Sequence, residues 1–319
     1  MNSIAERYRR FARVEAAGRS PLYETLAKHV AGTQHALTFL SRLPRDRQQP
    51  NLLFAALRHV CGTPMSITEF DEALGEHAQA IAEVMVTRTT QTNEPGRCAA
   101  FLPSLCQMQG PLALIEVGAS AGLCLLPDAY GYDWERQQLA PPSQFGAIAP
   151  VFHCHASENA PLPLQHPEIV WRAGLDLNPL DLSNHEDVAW LENLIWPEHH
   201  ERFARLRAAV QVARKNRPRV VAGDLRQDLS GLIAEAPSDA TVVVFHTAVL
   251  SYIADQNDRD AFARSMIDTG VVWLSNESPG VFPEFAEKAG PIRENMFLLN
   301  INGQPVAWTG PHGQELQWL

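Results

Sequence analysis

Three acidic residues stand where a parallel sheet would gather them. Glu116 closes an apolar run in LALIEV (112–117), Asp176 ends another in WRAGLDLNP (171–179), and Asp224 follows a third in VVAGD (220–224). In a parallel sheet such run ends lie side by side along one edge. A carboxylate there can accept two hydrogen bonds from a ribose diol, another can take an exocyclic amino proton of adenine, and the charge strengthens both bonds. Directly after the first run comes GASAG (118–122). Glycines let backbone N–H groups approach a ligand closely, and the first turn of a following helix would add partial positive charge.

A second group of residues could act on a substrate brought to that edge. His246 ends the run VVVFH (242–246) and could take a proton from a nucleophilic oxygen or nitrogen. Glu277 ends WLSNE (273–277) and could orient a substrate. Each has a plainer role open to it: a buried histidine bonded to backbone, and an acid paired with an arginine. The loop GASAG also has the outline G-x-S-x-G between strand and helix, which would make Ser120 a hydrolase nucleophile with His246 and one of the acids. The same loop is not G-x-G-x-x-G, and no Lys-Ser or Lys-Thr pair follows it, so nicotinamide and P-loop sites have weaker support. His153-Cys154-His155 does not read as a metal site, because neighbours on a strand point to opposite faces and no second cluster has zinc spacing. No metal is expected.

The elements that must position these residues change character near residue 110. Before it the sequence predicts about five helices: Ile4, Tyr8, Phe11 and Val14 share helical spacing, as do Leu22, Leu26 and Val30, then Leu53, Leu57 and Val60. Ser66-Ile67-Thr68-Glu69 reads as a capping box ahead of Phe70, Leu74, Ile81 and Met85. After it, β-rich runs at 112–117, 169–173, 219–222, 241–245 and 271–275 alternate with helical segments, the pattern of a parallel sheet covered by helices. Asn302-Gly303 between two apolar runs predicts a closing hairpin. Residues 127–167, rich in Pro, Gln and His, read as an irregular insertion. The expected division is a helical region at 1–109 and a sheet domain at 110–319.

With 319 residues and 45% hydrophobic composition, a full core is available. A formal charge of −10 disfavours nucleic acid as a partner, since an acidic surface repels phosphates. No apolar run approaches a membrane span, no signal peptide is read at MNSIAERYRRF, and the five scattered cysteines suit a reduced, cytoplasmic setting. A small-molecule substrate is the expected partner, with the oligomeric state open.

These acids and the glycine turn resemble the Rossmann-like (class I) S-adenosylmethionine-dependent methyltransferases over roughly residues 110–310. The resemblance implies an α/β fold with a mostly parallel sheet of seven strands, the last two an antiparallel hairpin, beside the helical N-terminal region. It implies S-adenosylmethionine as cofactor and methyl transfer to a small molecule. Gly118, Ser120 and Gly122 would lie beside the methionyl part, Asp176 would hold the ribose, and Asp224 or Leu225 would meet the adenine. Ser120 stands where the usual pattern has a middle glycine, and the spacing from Glu116 to Asp176 is long. Retention of the fold with ligand binding but no turnover is the alternative. The whole chain is also similar to the uncharacterised bacterial domain-of-unknown-function family 2332, through IEVGASAGL, RAGLDLNPLDL, WLENLIWPE, VFHTAVLSYI and the closing PHG and LQWL.

Overall fold

A computed structural model describes residues 2–319. The chain forms two compact units, Met1–Thr92 with Asn184–Ala204, and Asn93–Ser183 with Arg205–Leu319. The boundary thus falls before the helix Cys98–Leu105. Every residue of that helix is buried, and its Phe101 ring lies 5.3 Å from that of Phe245 in the sheet.

The first unit carries α1 (Asn2–Arg10), α2 (Pro21–Gly32), α3 (Gln34–Ser41), α4 (Pro50–Cys61), α5 (Ile67–Glu76) and α6 (Ala78–Thr87). Prolines at the first positions of α2 and α4 lack an N–H that a helix start leaves unbonded anyway. Ser66 caps α5 by accepting from Glu69 N at 3.2 Å, and Glu69 reaches back to Met65 N at 2.9 Å, one residue beyond the reciprocal bond of a capping box. Val14 does not share the buried face of Ile4, Tyr8 and Phe11. Phe11–Ala16 winds as a π-helix, whose wider turn rotates Val14 outward and buries Ala12 and Ala16 instead.

In the second unit α7 (Cys98–Leu105) leads into β1 (Leu112–Val117), followed by β2 (Gly131–Asp133), β3 (Gln138–Leu139), β4 (Val151–His153), β5 (His155–Ala156) and β6 (Ile169–Asp176). The chain then supplies α8 (His185–Asn193) to the helical unit and crosses back along α9 (His200–Lys215). β7 (Arg219–Ala222), α10 (Leu229–Ala234), β8 (Thr241–Thr247), α11 (Gln256–Asp268) and β9 (Val272–Glu277) come next, then α12 (Pro283–Lys288), β10 (Phe297–Ile301), β11 (Gln304–Thr309) and β12 (Glu315–Trp318).

Nine strands form one mixed sheet in the order β5-β12-β11-β10-β9-β8-β1-β6-β7. The five from β9 to β7 are parallel, and the order reverses direction between β1 and β8. In open α/β sheets the crevice beyond the carboxyl ends at such a reversal is where ligands bind. The far side departs from the expected seven strands. β10, β11 and β12 add in sequence as an antiparallel meander, and β5 pairs parallel with β12. The hairpin turn is as its residues dictate: Asn302 and Gly303 both take positive φ, +50° and +74°. Pro305 sits at a bulge of β11 opposite Asn300. The 127–167 stretch is ordered by a small sheet, β3-β2-β4, in which Tyr132 stacks on Trp134 at 5.2 Å.

Strand alternation gives the large sheet two different faces. Ile115, Val117, Leu175, Val244 and Trp273 point to one, packing against Leu229, Phe262, Met266 and Phe285 of the covering helices. Burying each large apolar side chain contributes roughly 1.5–3 kcal/mol. Glu116 and its register partner Phe245 point to the other face, toward α7.

Candidate functional site

The carboxyl edge of β1, β6 and β7 does gather the acids and the glycine loop. Gly223 N donates to Asp176 O at 2.9 Å, and Ser120 N donates to Asp176 Oδ2 at 2.8 Å. Asp176 Oδ1 accepts from Asn178 N at 2.8 Å. One carboxylate therefore fastens the loop after β1 to the turn after β6.

The loop itself is tighter than a ligand cradle requires. Gly118, Ser120 and Gly122 take φ of +70°, +52° and +76°. Gly118 N and Ala119 N both donate to Leu175 O, Gly122 N to Ala119 O, and Leu123 N to Asn93 Oδ1. A Cβ on Gly118 would lie 2.5 Å from a Val249 methyl carbon, and one on Gly122 would lie 2.8 Å from Pro218. The glycines thus serve close packing of backbone against neighbouring loops. The helix expected after them is absent. A 3-10 turn, Leu123–Leu125, takes its place, because Pro127 follows at once and biases Leu126 away from helical geometry. No helix dipole points at the loop.

The acids differ in state. Glu116 is 2% exposed and its Oε2 has no partner among the described residues. Burial holds its carboxyl well above the usual range, Cys124 and Asp176 push the same way, and Arg97 opposes them. Asp224 lies nearer solvent. Arg226 of its own turn donates to it from Nη2 at 2.6 Å and Nε at 3.0 Å, which pushes its carboxyl down to about 2. Leu225 packs its side chain against the apolar core.

His246 and Glu277 lie on the other face of the sheet from Glu116. His246 is fully buried, with Nδ1 2.7 Å from Glu277 Oε1 and Nε2 accepting from Trp273 Nε1 at 3.0 Å. That network fixes a neutral imidazole with its proton on Nδ1. Glu277 Oε1 also accepts from Val249 N at 2.8 Å and Leu250 N at 3.1 Å. Both side chains hold the loop after β8, where Ala248 takes a φ of +57°. In this geometry His246 has no free ring nitrogen for a substrate proton, and it does not meet Ser120.

His153 and His155 turn to separate acids, Asp133 at 3.2 Å and Glu135 at 3.1 Å. Among the described residues no group of three side chains suits a metal ion.

The structure adds residues that the sequence pattern did not single out. Asn93-Glu94-Pro95-Gly96-Arg97 crosses beside the ends of β1 and β8, and Asn93, Glu94 and Arg97 are all buried. Glu94 Oε1 accepts from Gly96 N at 3.1 Å, and Arg97 reaches the Thr247 carbonyl at 2.9 Å and the Pro311 carbonyl at 2.9 Å. A Cβ on Gly313 would fall 1.9 Å from Gly96 O, so the segment and the closing Pro311-His312-Gly313 touch backbone to backbone. The available signal was a polar run, with Pro and Gly, wedged between two apolar helices. It reads equally as loop punctuation.

The chain belongs to a bacterial family: the family model described as "Uncharacterized protein conserved in bacteria (DUF2332)" matches residues 5–318. No curated protein and no solved structure matches the chain. Among the described residues no helix is long and apolar enough to cross a membrane.

Proposed function

We propose that this family member binds S-adenosylmethionine along the carboxyl edge of β1, β6 and β7 and transfers its methyl group to a small molecule. The observation that carries the reading is Asp176. It ends the second strand of the parallel set, is 8% exposed, and is held by Ser120 N at the corner where the glycine loop turns. A carboxylate at this strand end suits the two hydroxyl donors of a ribose. Glu116, buried beside it with its carboxyl raised by desolvation, offers an unpartnered oxygen to the same ligand. Asp224 would accept the adenine amino group, with Leu225 beside it.

The cofactor supplies an activated methyl on a sulfonium, displaced in line by the acceptor. The chain's contribution is to orient and to exclude water. No protein nucleophile is required, so the protein-bonded state of Ser120 N and of His246 is compatible with it.

Binding without turnover is the second reading, and His246 favours it. Both imidazole nitrogens serve protein partners, so His246 has no free nitrogen to take a proton from an acceptor.

Titration calorimetry with S-adenosylmethionine and its demethylated product tests the first reading. Saturable binding that weakens in Asp224→Asn, a surface change that spares the fold, is expected. Absence of heat with both compounds rules out both cofactor readings. Binding with no methylated product from a pool of small-molecule acceptors leaves the second.

A further inference from the structure

Arg97 carries a charge that the protein does not neutralise. The guanidinium is 8% exposed, and its bonds go to carbonyl and hydroxyl oxygens: Nε to Pro311 O at 2.9 Å, and Nη1 to Thr247 O at 2.9 Å and Thr247 Oγ1 at 3.2 Å. It forms no ion pair with any described carboxylate, and its Nη2 donates to no described group. A buried cation without a counter-ion is costly to keep.

The neighbouring strand repeats the pattern. Thr247 of β8 is in register with Asn276 of β9, so the two side chains share a face of the sheet. Asn276 is fully buried, its Oδ1 accepts from Thr309 Oγ1 at 2.7 Å, and its Nδ2 has no partner among the described residues. Glu116 stands on that face too, one strand over, since its partner Phe245 is two residues before Thr247. Its buried Oε2 is likewise unpartnered. Burial holds its carboxyl above the usual carboxylate range, and Arg97 acts against that shift.

We propose that Arg97 Nη2 and Asn276 Nδ2, flanking Thr247 at the carboxyl ends of β8 and β9, bind the carboxylate group of a small acidic ligand. A carboxylate offers four lone-pair sites, enough for the guanidinium and the amide together. A neutral amide could accept from these groups but would leave the guanidinium without its counter-charge. The site lies beside the nucleoside edge proposed above and does not depend on it.

The test uses the full chain with formate, the carboxylate group alone, against formamide and chloride at matched ionic strength. Formate is expected to raise the thermal midpoint saturably, with formamide and chloride lacking that effect. Arg97→Gln is expected to weaken the formate effect about tenfold or more, the loss of one charged hydrogen bond. Asn276→Ala is expected to weaken it less. If Arg97→Gln no longer melts cooperatively, arginine-labelled wild type decides, because formate must then shift the Nη resonances of one buried arginine. Formate acting no differently from chloride on the wild type would overturn the site, as would equal formate effects on wild type and Arg97→Gln. Neither outcome touches the calorimetry with S-adenosylmethionine.

Discussion

Ser120 and Asp176, 56 positions apart in the chain, are joined by a backbone N–H to carboxylate bond of 2.8 Å. The bond fixes the loop after β1 to the end of β6, and Asp176 turns back to Asn178 N with its other oxygen. Asp176→Ala strips both N–H groups of their acceptor in a site that water reaches poorly. The expected cost is about 1–3 kcal/mol of unfolding free energy, chiefly from the buried Ser120 N–H left bare. Urea denaturation measures it, and an unchanged midpoint would mean that the carboxylate holds nothing together.

Glu116 predicts a pH dependence. Its folded pKa lies above the ordinary glutamate value of an unfolded chain, so folding favours the protonated form. The stability it contributes is fully present below that unfolded value and is lost as pH rises through the folded one. Glu116→Gln keeps the shape of the neutral acid and removes the ionisation. Wild type should therefore lose stability relative to the variant by about 1.4 kcal/mol per pH unit across that window, and the two should agree below it. Denaturation midpoints of both proteins across this range check the sign; parallel curves count against a buried neutral acid.

His246 is expected to matter to folding more than to chemistry. Removing it leaves the Trp273 N–H without its acceptor inside the core and takes one of three partners from Glu277 Oε1. His246→Ala should cost about 3–5 kcal/mol, from a broken buried network and a cavity together. Affinity for any ligand of the opposite face should stay near that of wild type in the folded fraction. A fully stable His246→Ala protein that has lost binding would reverse this assignment.

Gly118 and Val249 offer a coupling experiment. Gly118→Ala puts a methyl group 2.5 Å from Val249 and asks alanine to adopt a φ of +70°. The loss should be about 2–4 kcal/mol. Adding Val249→Ala should recover the steric part and leave the dihedral strain, so the double mutant is more stable than the sum of the single effects implies. Strict additivity, read from the same denaturation series, would place the cost entirely in the backbone.

The parallel half of the sheet was legible because buried strands leave continuous β-rich runs. Arg219–Ala222 was located to the residue, and the runs at 169–173, 241–245 and 271–275 grew or slid by one to three positions at their polar ends. Those ends, Asp176, Thr247 and Glu277, are where side chains bond to loops and carry no hydrophobic signal. The meander was only half visible. Glu315–Trp318 is too short and too polar to mark a strand on its own, and β5 is two residues that pair only because β12 lies beside them. In the site, the acids were readable from their place after apolar runs. The bonds that occupy the Ser120 and Leu123 N–H groups and bury Arg97 come from partners 30 to 214 residues away, which no local pattern encodes; Pro127, which cuts the helix short, was in plain view.

The return of Asn184–Ala204 to the helical unit bears on the order of assembly during synthesis. The first 92 residues leave the ribosome without the segment that supplies Trp190 and Trp196, the tryptophans that bond Thr89 and Asn51. Three strands of the large sheet, β1, β5 and β6, emerge before that gap is filled. The leading helices must therefore wait, incompletely packed and exposed to chaperones or proteases, until Ala204 has been made. A fragment ending near residue 92 would inherit that unfinished state for good.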